Sequence, residues 1–270
     1  LPHMGNPLAC ANFYITAFDR GSLAVSVLAL SGLFYLLTKH NLGDTDKVGQ
    51  HANQYYHKLY ELLCPEVFAL RHRVRFLRLL HLSLKSIMLP SSYVAAFVKK
   101  SARVASLVPS PPAALWLLVN MQGLMQRHQA LCAPMLHRDV GNTMTFGKSP
   151  AAVGSTDTFD VSVPLMVASQ KDMALTTSLW EIELLQDHYC PQVARMARMF
   201  FTPKFLQRQK PMDPEEYLDL SFDKLFTREF NHGRKKHKRG GNDSDKTEDE
   251  QKAEEKNVLP PAVAFQSDTR

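Results

Sequence analysis

With 270 residues, 45% hydrophobic and 21% charged, the chain can bury a sizeable core as one large domain or two small ones, which excludes a wholly disordered polymer. Its formal net charge of +6 permits contact with nucleic acid or an acidic partner and establishes neither. Cys10, Cys64, Cys132 and Cys190 lie far apart with no C-x-x-C pair, so they read as reduced thiols of an intracellular protein, not as a disulfide framework or a zinc ligand set.

Apolar residues recur at periods of three and four along most of the chain, and strand signals are nearly absent. The opening Leu1-Pro2-His3 has neither an initiator Met nor a charged n-region, so no signal peptide is expected and the segment reads as the middle of a protein. A first helix is predicted over about 8–18, with Pro7 at its start and Asp19-Arg20-Gly21 ending it. The second covers about 22–39. It holds the longest apolar run, 23–37, but Ser26, Ser31 and Gly32 interrupt that run, which fits a buried helix better than a membrane span of ~20 residues. Residues 50–63 form a third, closed by Cys64-Pro65. A fourth runs over about 67–87 to Leu89-Pro90, and a fifth from Ser91 or Ser92 through Val108. Pro109-Ser-Pro-Pro112 stops the fifth and opens a sixth over about 112–128.

Short proline-marked links between helices of this length favour antiparallel neighbours. The predicted fold is all-α: an antiparallel stack of helical hairpins, a HEAT- or armadillo-like α-solenoid with degenerate repeats. From 129 to 173 the periodicity fails and a long Gly- and Ser/Thr-rich loop is expected. Helix then returns, with Ser178-Leu-Trp-Glu181 at capping-box spacing, Pro191 as a break or kink before 192–201, and Asp213-Pro214 opening a last helix to about Phe230. Residues 1–230 are thus read as one helical domain, and 231–270 as a disordered basic-then-acidic tail with a short apolar terminus.

No enzyme motif survives inspection. Gly147-Lys148-Ser149 resembles the end of a phosphate-binding loop, but residue 142 is Asn where glycine is needed, Pro150 follows, and no strand precedes. The 11 histidines include no H-E-x-x-H, His51 and His57 fall on different helix faces, and His137-Arg-Asp139 stands alone in the loop. There is no G-x-S-x-G, so a serine nucleophile has no anchor. Trp116 and Trp180 read as core anchors. No metal or cofactor is expected.

The stronger signal is charge. Arg71, Arg75, Arg78 and Lys85 share a stripe of the fourth helix, opposite Leu77, Leu80, Leu84 and Ile87. Lys99, Lys100 and Arg103 make a second ridge on the next helix, close by if the two pack antiparallel. The two ridges are candidates for contact with RNA phosphate or an acidic partner, and a solvated charged face is the plainer reading. Arg73 falls on the apolar side and reads as a paired structural charge. Arg234, Lys235, Lys236, Lys238 and Arg239 form a candidate nuclear-import signal or RNA-binding tail.

Four blocks add a resemblance: ALSGLFYLLTKHNL at 29–42, RVRFLRL at 73–79, the run from Leu89 to Arg103, and SLWEIELLQDHYCPQV at 178–193. In this order and spacing they resemble the C-terminal half of nucleolar members of the CCAAT-binding-factor family of ribosome-assembly proteins. The resemblance covers roughly 8–230, with 136–176 poorly matched. It implies a non-catalytic helical-repeat scaffold of the nucleus and nucleolus, acting in the small-subunit processome. Its implied partners are nucleolar protein fourteen and other processome proteins, with pre-ribosomal RNA as a further contact and no membrane or small-molecule substrate. The alternative class is a general helical adaptor or transport scaffold using the same surface on other proteins.

Overall fold

A computed structural model describes residues 5–40, 48–86, 89–136, 160, 163–165, 174–175, 177–202, 205 and 211–240. Among them every regular element is helical, as the periodicity predicts, and no helix is long and apolar enough to cross a membrane. They belong to two units, Leu1–Glu229 and Phe230–Arg270.

A 3-10 turn at Pro7–Cys10 leads into α1 (Ala11–Arg20), which folds back on α2 (Leu23–His40). Their antiparallel register is fixed at two points. Ser26 Oγ donates to the Phe18 carbonyl at 2.9 Å, and Gly32 lies against the Tyr14 ring so closely that a Cβ there would stand 2.5 Å from the ring edge. Glycine is what lets the two helices approach at this level. α3 (Val48–Leu62) returns against α2. It is tied to α4 (Arg73–Leu84) by Tyr55 and Tyr56, whose hydroxyls meet Ser83 Oγ at 2.7 Å and the Ser83 carbonyl at 3.1 Å.

The single helix expected over 67–87 is divided. Pro65–Ala69 is a 3-10 turn that buries Val67 and Phe68, the backbone turns extended at Leu70 (φ −71°, ψ 148°), and α4 begins only at Arg73. Burying those two side chains on the core takes the turn out of line with α4. Leu77, Leu80 and Leu84 are buried as expected, while Ile87 lies outside the described residues.

The centre of the core is α5 (Ser91–Leu107) packed on α6 (Pro111–Arg127). Both are buried almost all round, α5 even at Lys99, Lys100 and Ser101, which marks helices covered on every side. Val94 to Val98 and Leu117 to Val119 are wholly inaccessible. The start of the expected long loop is instead helical, α7 (Gln129–Leu136), which continues past α6 despite Pro134. Beyond it lie α8 (Trp180–Leu184), a 3-10 turn at Leu185–Asp187, and α9 (Pro191–Phe200). Pro191 opens α9 at its first position, where its missing N–H costs nothing, so the expected interruption at Pro191 is a full break between two helices.

Asp213 caps as expected, accepting from the Glu215 amide at 3.0 Å, but the element it opens is the 3-10 turn Pro214–Tyr217. The last helix, α10 (Phe222–Gly240), starts after it, with Ser221 Oγ accepting from the Lys224 amide at 3.3 Å. The helix runs past the expected stop at Phe230. In the second unit the described residues, 230–240, are all helical, so the basic block 234–239 sits on helical backbone and not on coil.

Candidate partner interface

Of the seven cations placed on two ridges by the sequence, the structure leaves four exposed. These are Arg71 in the turn before α4, Arg75 and Arg78 on it, and Lys85 at its C-cap. Arg78 is engaged by Glu215 of the 214–217 turn at 3.1 Å, a surface pair of small energetic weight. Lys85 is the C-cap of α4, ten residues from Arg75 and so about 15 Å along the axis, beyond a Debye length of about 8 Å. Arg71 and Arg75 remain together at the start of α4, and Arg73 joins them. Arg73 is exposed, which corrects its placement on the buried side: as the first residue of α4 it precedes the turn where the core-facing stripe begins.

The ridge on α5 does not exist as a surface. Lys99 and Lys100 are 0% and 7% exposed, and the Arg103 side chain is largely covered. Lys99 Nζ donates to the Ser178 carbonyl at 2.7 Å and lies 2.9 Å from Glu181 Oε1 and 3.0 Å from Oε2. Arg103 Nε donates to Glu181 Oε1 at 2.9 Å. Trp180 lies beneath both cations, with the Arg103 guanidinium 4.7 Å and the Lys99 ammonium 5.4 Å from the ring centroid. Trp180 therefore serves as a cation platform within the fold, whereas Trp116, 1% exposed, is the core anchor expected.

Glu181 itself is inaccessible to solvent. It does not complete a capping box: the N-cap of α8 is Leu179, without a side-chain cap, and Ser178 Oγ is buried with no hydrogen-bond partner among the described residues. A carboxylate facing two cations gains more than one reaching back to an amide, so the cations win. The sequence did hold a signal for this. The run from Tyr93 to Leu107 has no acid and no solvent-facing polar stripe wide enough to expose a lysine pair, so its lysines needed an acidic partner from elsewhere.

Lys100 points to the other side of α5, its ammonium 3.9 Å above the Tyr60 ring. Burial pushes the amine down to about 8, against the weaker opposing pull of Cys64 and Glu61. Burial likewise raises the Cys132 thiol to about 12, leaving it inert; none of the four cysteines is in a disulfide. Among the described residues no three His, Cys, Asp or Glu side chains come together to hold a metal ion. His57 is buried with its ring 5.9 Å from that of Tyr93. Gly147-Lys148-Ser149 and His137-Arg-Asp139 lie outside the described residues, as do the side chains of the 234–239 block and of His51.

Residues 26–197 match the model of the CBF/Mak21 family. The chain is 35% identical over 233 residues to nucleolar complex protein 4 homolog A of Xenopus laevis and 39% identical over 197 residues to the nucleolar complex protein 4 homolog of Homo sapiens. It is 31% identical over 235 residues to the Arabidopsis thaliana protein Nucleolar complex associated 4. These alignments cover 85%, 73% and 84% of this chain but 39%, 34% and 39% of the relatives, so the chain spans well under half the length of the proteins it matches.

The buried cations generate two testable outcomes. Glu181→Gln leaves Lys99 with a neutral partner in a dry site, and should cost about 3–5 kcal/mol in urea denaturation; a loss below about 1 kcal/mol would mean the cluster is solvated. Lys100 carries a pH signature. Its folded value of about 8 lies below the unfolded value near 10.4, so between these the unfolded state binds more protons and stability rises with pH. Charging Lys100 therefore costs stability at pH 7, and that cost is lifted as pH climbs through 8. Lys100→Met should be more stable than the parent by about 1–2 kcal/mol at pH 7 and lose that advantage towards pH 10, read as melting temperature against pH. A pH-independent difference would contradict it.

Proposed function

The chain belongs to the CBF/Mak21 family, and on that premise we propose that it is a non-catalytic assembly factor in ribosome biogenesis, acting in the nucleolus. The match over 26–197, with relatives named as nucleolar complex proteins, carries this reading. Its finer form is a helical-hairpin scaffold of the small-subunit processome that pairs with nucleolar protein fourteen and supports maturation of the small-subunit ribosomal RNA and export of the subunit. The cations at the start of α4 are the surface through which pre-ribosomal RNA or an acidic partner is met. The basic block on the end of α10 serves nuclear import or holds RNA through phosphate contacts.

Affinity purification of the tagged chain from nuclear extract tests the first part. Nucleolar protein fourteen, processome proteins and pre-ribosomal RNA should dominate the co-purified material; transport or membrane-traffic proteins in their place would favour a general adaptor. The block is tested by replacing Arg234, Lys235, Lys236, Lys238 and Arg239 with serine in a fluorescent fusion. Nuclear signal should fall several-fold if the block is an import signal. Unchanged nuclear signal together with undiminished RNA recovery would remove both roles.

A further inference from the structure

A cleft of about 170 Å³ opens between the start of α4, the start of α6 and the segment 217–222. Its walls are mixed: Phe68, Leu77, Ala113, Trp116 and Leu218 supply apolar surface, Ser110 and Ser221 supply hydroxyls, and Arg73 lines it as its one charged residue. That volume is below the 300 Å³ or more of a small-molecule pocket and suits a single anchoring side chain.

Three observations converge on what would enter. Arg71, Arg73 and Arg75 crowd into five residues at the positive end of the α4 dipole, with no acid in its first turn and no side-chain cap from His72. None of the three makes an ion pair or hydrogen bond with its side chain among the described residues. The helix gains nothing from cations placed there. Next, α6 also begins at the cleft, and Ser110 at its N-cap gives no side-chain hydrogen bond. Finally, the indole N–H of Trp116, on the wall, is buried without a hydrogen-bond partner. An unpaired buried donor is costly, and because this one is closed off as it stands, only an occupant that displaces part of the wall would satisfy it.

The opposite rim restricts the ligand. Glu216, Asp219 and Asp223, all exposed, flank the lining residues Tyr217, Leu218, Leu220 and Phe222. A single-stranded nucleic acid carries a charge on every phosphate and would have to run against these carboxylates. A peptide that concentrates its negative charge beside one apolar residue would not. We propose that this cleft binds an acidic peptide segment of a protein partner, an aromatic or aliphatic side chain filling the cavity and an adjacent Asp or Glu paired with Arg73 and its neighbours. The assignment rests on the reading of the α4 cations as a contact surface and narrows its partner to one class, whereas the nucleolar role is tested separately by co-purification.

The test is fluorescence anisotropy with the whole chain and a labelled peptide bearing one phenylalanine flanked by aspartates. Binding should weaken roughly tenfold or more in Arg73→Glu, in Ala113→Leu, which fills the cavity, and for a peptide with asparagine in place of aspartate. Arg73→Glu puts a carboxylate at a helix N-terminus, so its melting temperature should equal or exceed the parent's. That arm decides the matter even if Ala113→Leu folds poorly. The proposal fails if the peptide does not bind the parent, if it binds Arg73→Glu equally well, or if a single-stranded RNA oligonucleotide binds more tightly than the peptide in an Arg73-dependent way.

Discussion

The contact on which the rest of the molecule depends is the buried carboxylate of Glu181 between Lys99 and Arg103. It joins two pieces of chain about eighty residues apart, the central helix α5 and the segment that opens α8. An ion pair in a dry site gives little net stability over a well-packed apolar pair of the same volume. What it does supply is selectivity among arrangements. Shift α8 by one residue along α5, and a lysine, an arginine and a glutamate are all left unpaired without water, at several kcal/mol each. Apolar neighbours such as Leu179, Ile182 and Leu185 would tolerate that shift far better. The Leu179 amide donates to the Met135 carbonyl at 3.0 Å, so the same anchor also holds this segment against α7.

This arrangement redistributes the charge of the molecule. Read from sequence, α4 and α5 present one continuous basic surface. In the fold, the α5 cations are consumed internally and Arg78 faces Glu215 of the acidic segment 213–223. The basic character that reaches solvent on α4 is thus concentrated at its first turn. A concentrated patch beside an acidic rim discriminates by shape and position, whereas a broad stripe would attract any polyanion.

Legibility in the sequence differs from helix to helix. α2, α5 and α6 were legible because proline, glycine and asparagine punctuate their ends and apolar residues repeat between. α7 was missed because Pro134 and the glycines beyond it outweighed eight residues of weak periodicity. The division at Leu70 was missed because no glycine or proline marks it; the break comes from burying Val67 and Phe68, a tertiary effect. Arg71, Arg75 and Arg78 were placed correctly at the surface, Lys99 and Lys100 were not. Spacing identifies which residues share a helical face but is silent on what covers that face. Glu181 shows the same limit from the other side, since a capping-box spacing and a buried counter-ion look alike until a lysine is brought within hydrogen-bonding distance.

The blocks that carry the resemblance acquire a physical reason from this geometry. The run from Leu89 to Arg103 and the segment 178–193 are two of them, and they are the two stretches of chain that meet at Glu181. Gly32, in a third such block, is needed where α2 passes over Tyr14. Each of these positions is constrained by a contact in which only one side-chain type works: a carboxylate between two cations, or no side chain at all. The exposed arginines at the start of α4 are under no such packing constraint. Arg73, Arg75 and Phe76 nonetheless fall within another of the resembling blocks, and only Phe76 is buried. Packing therefore accounts for Phe76, while the two arginines stand on the solvent side of the same short block.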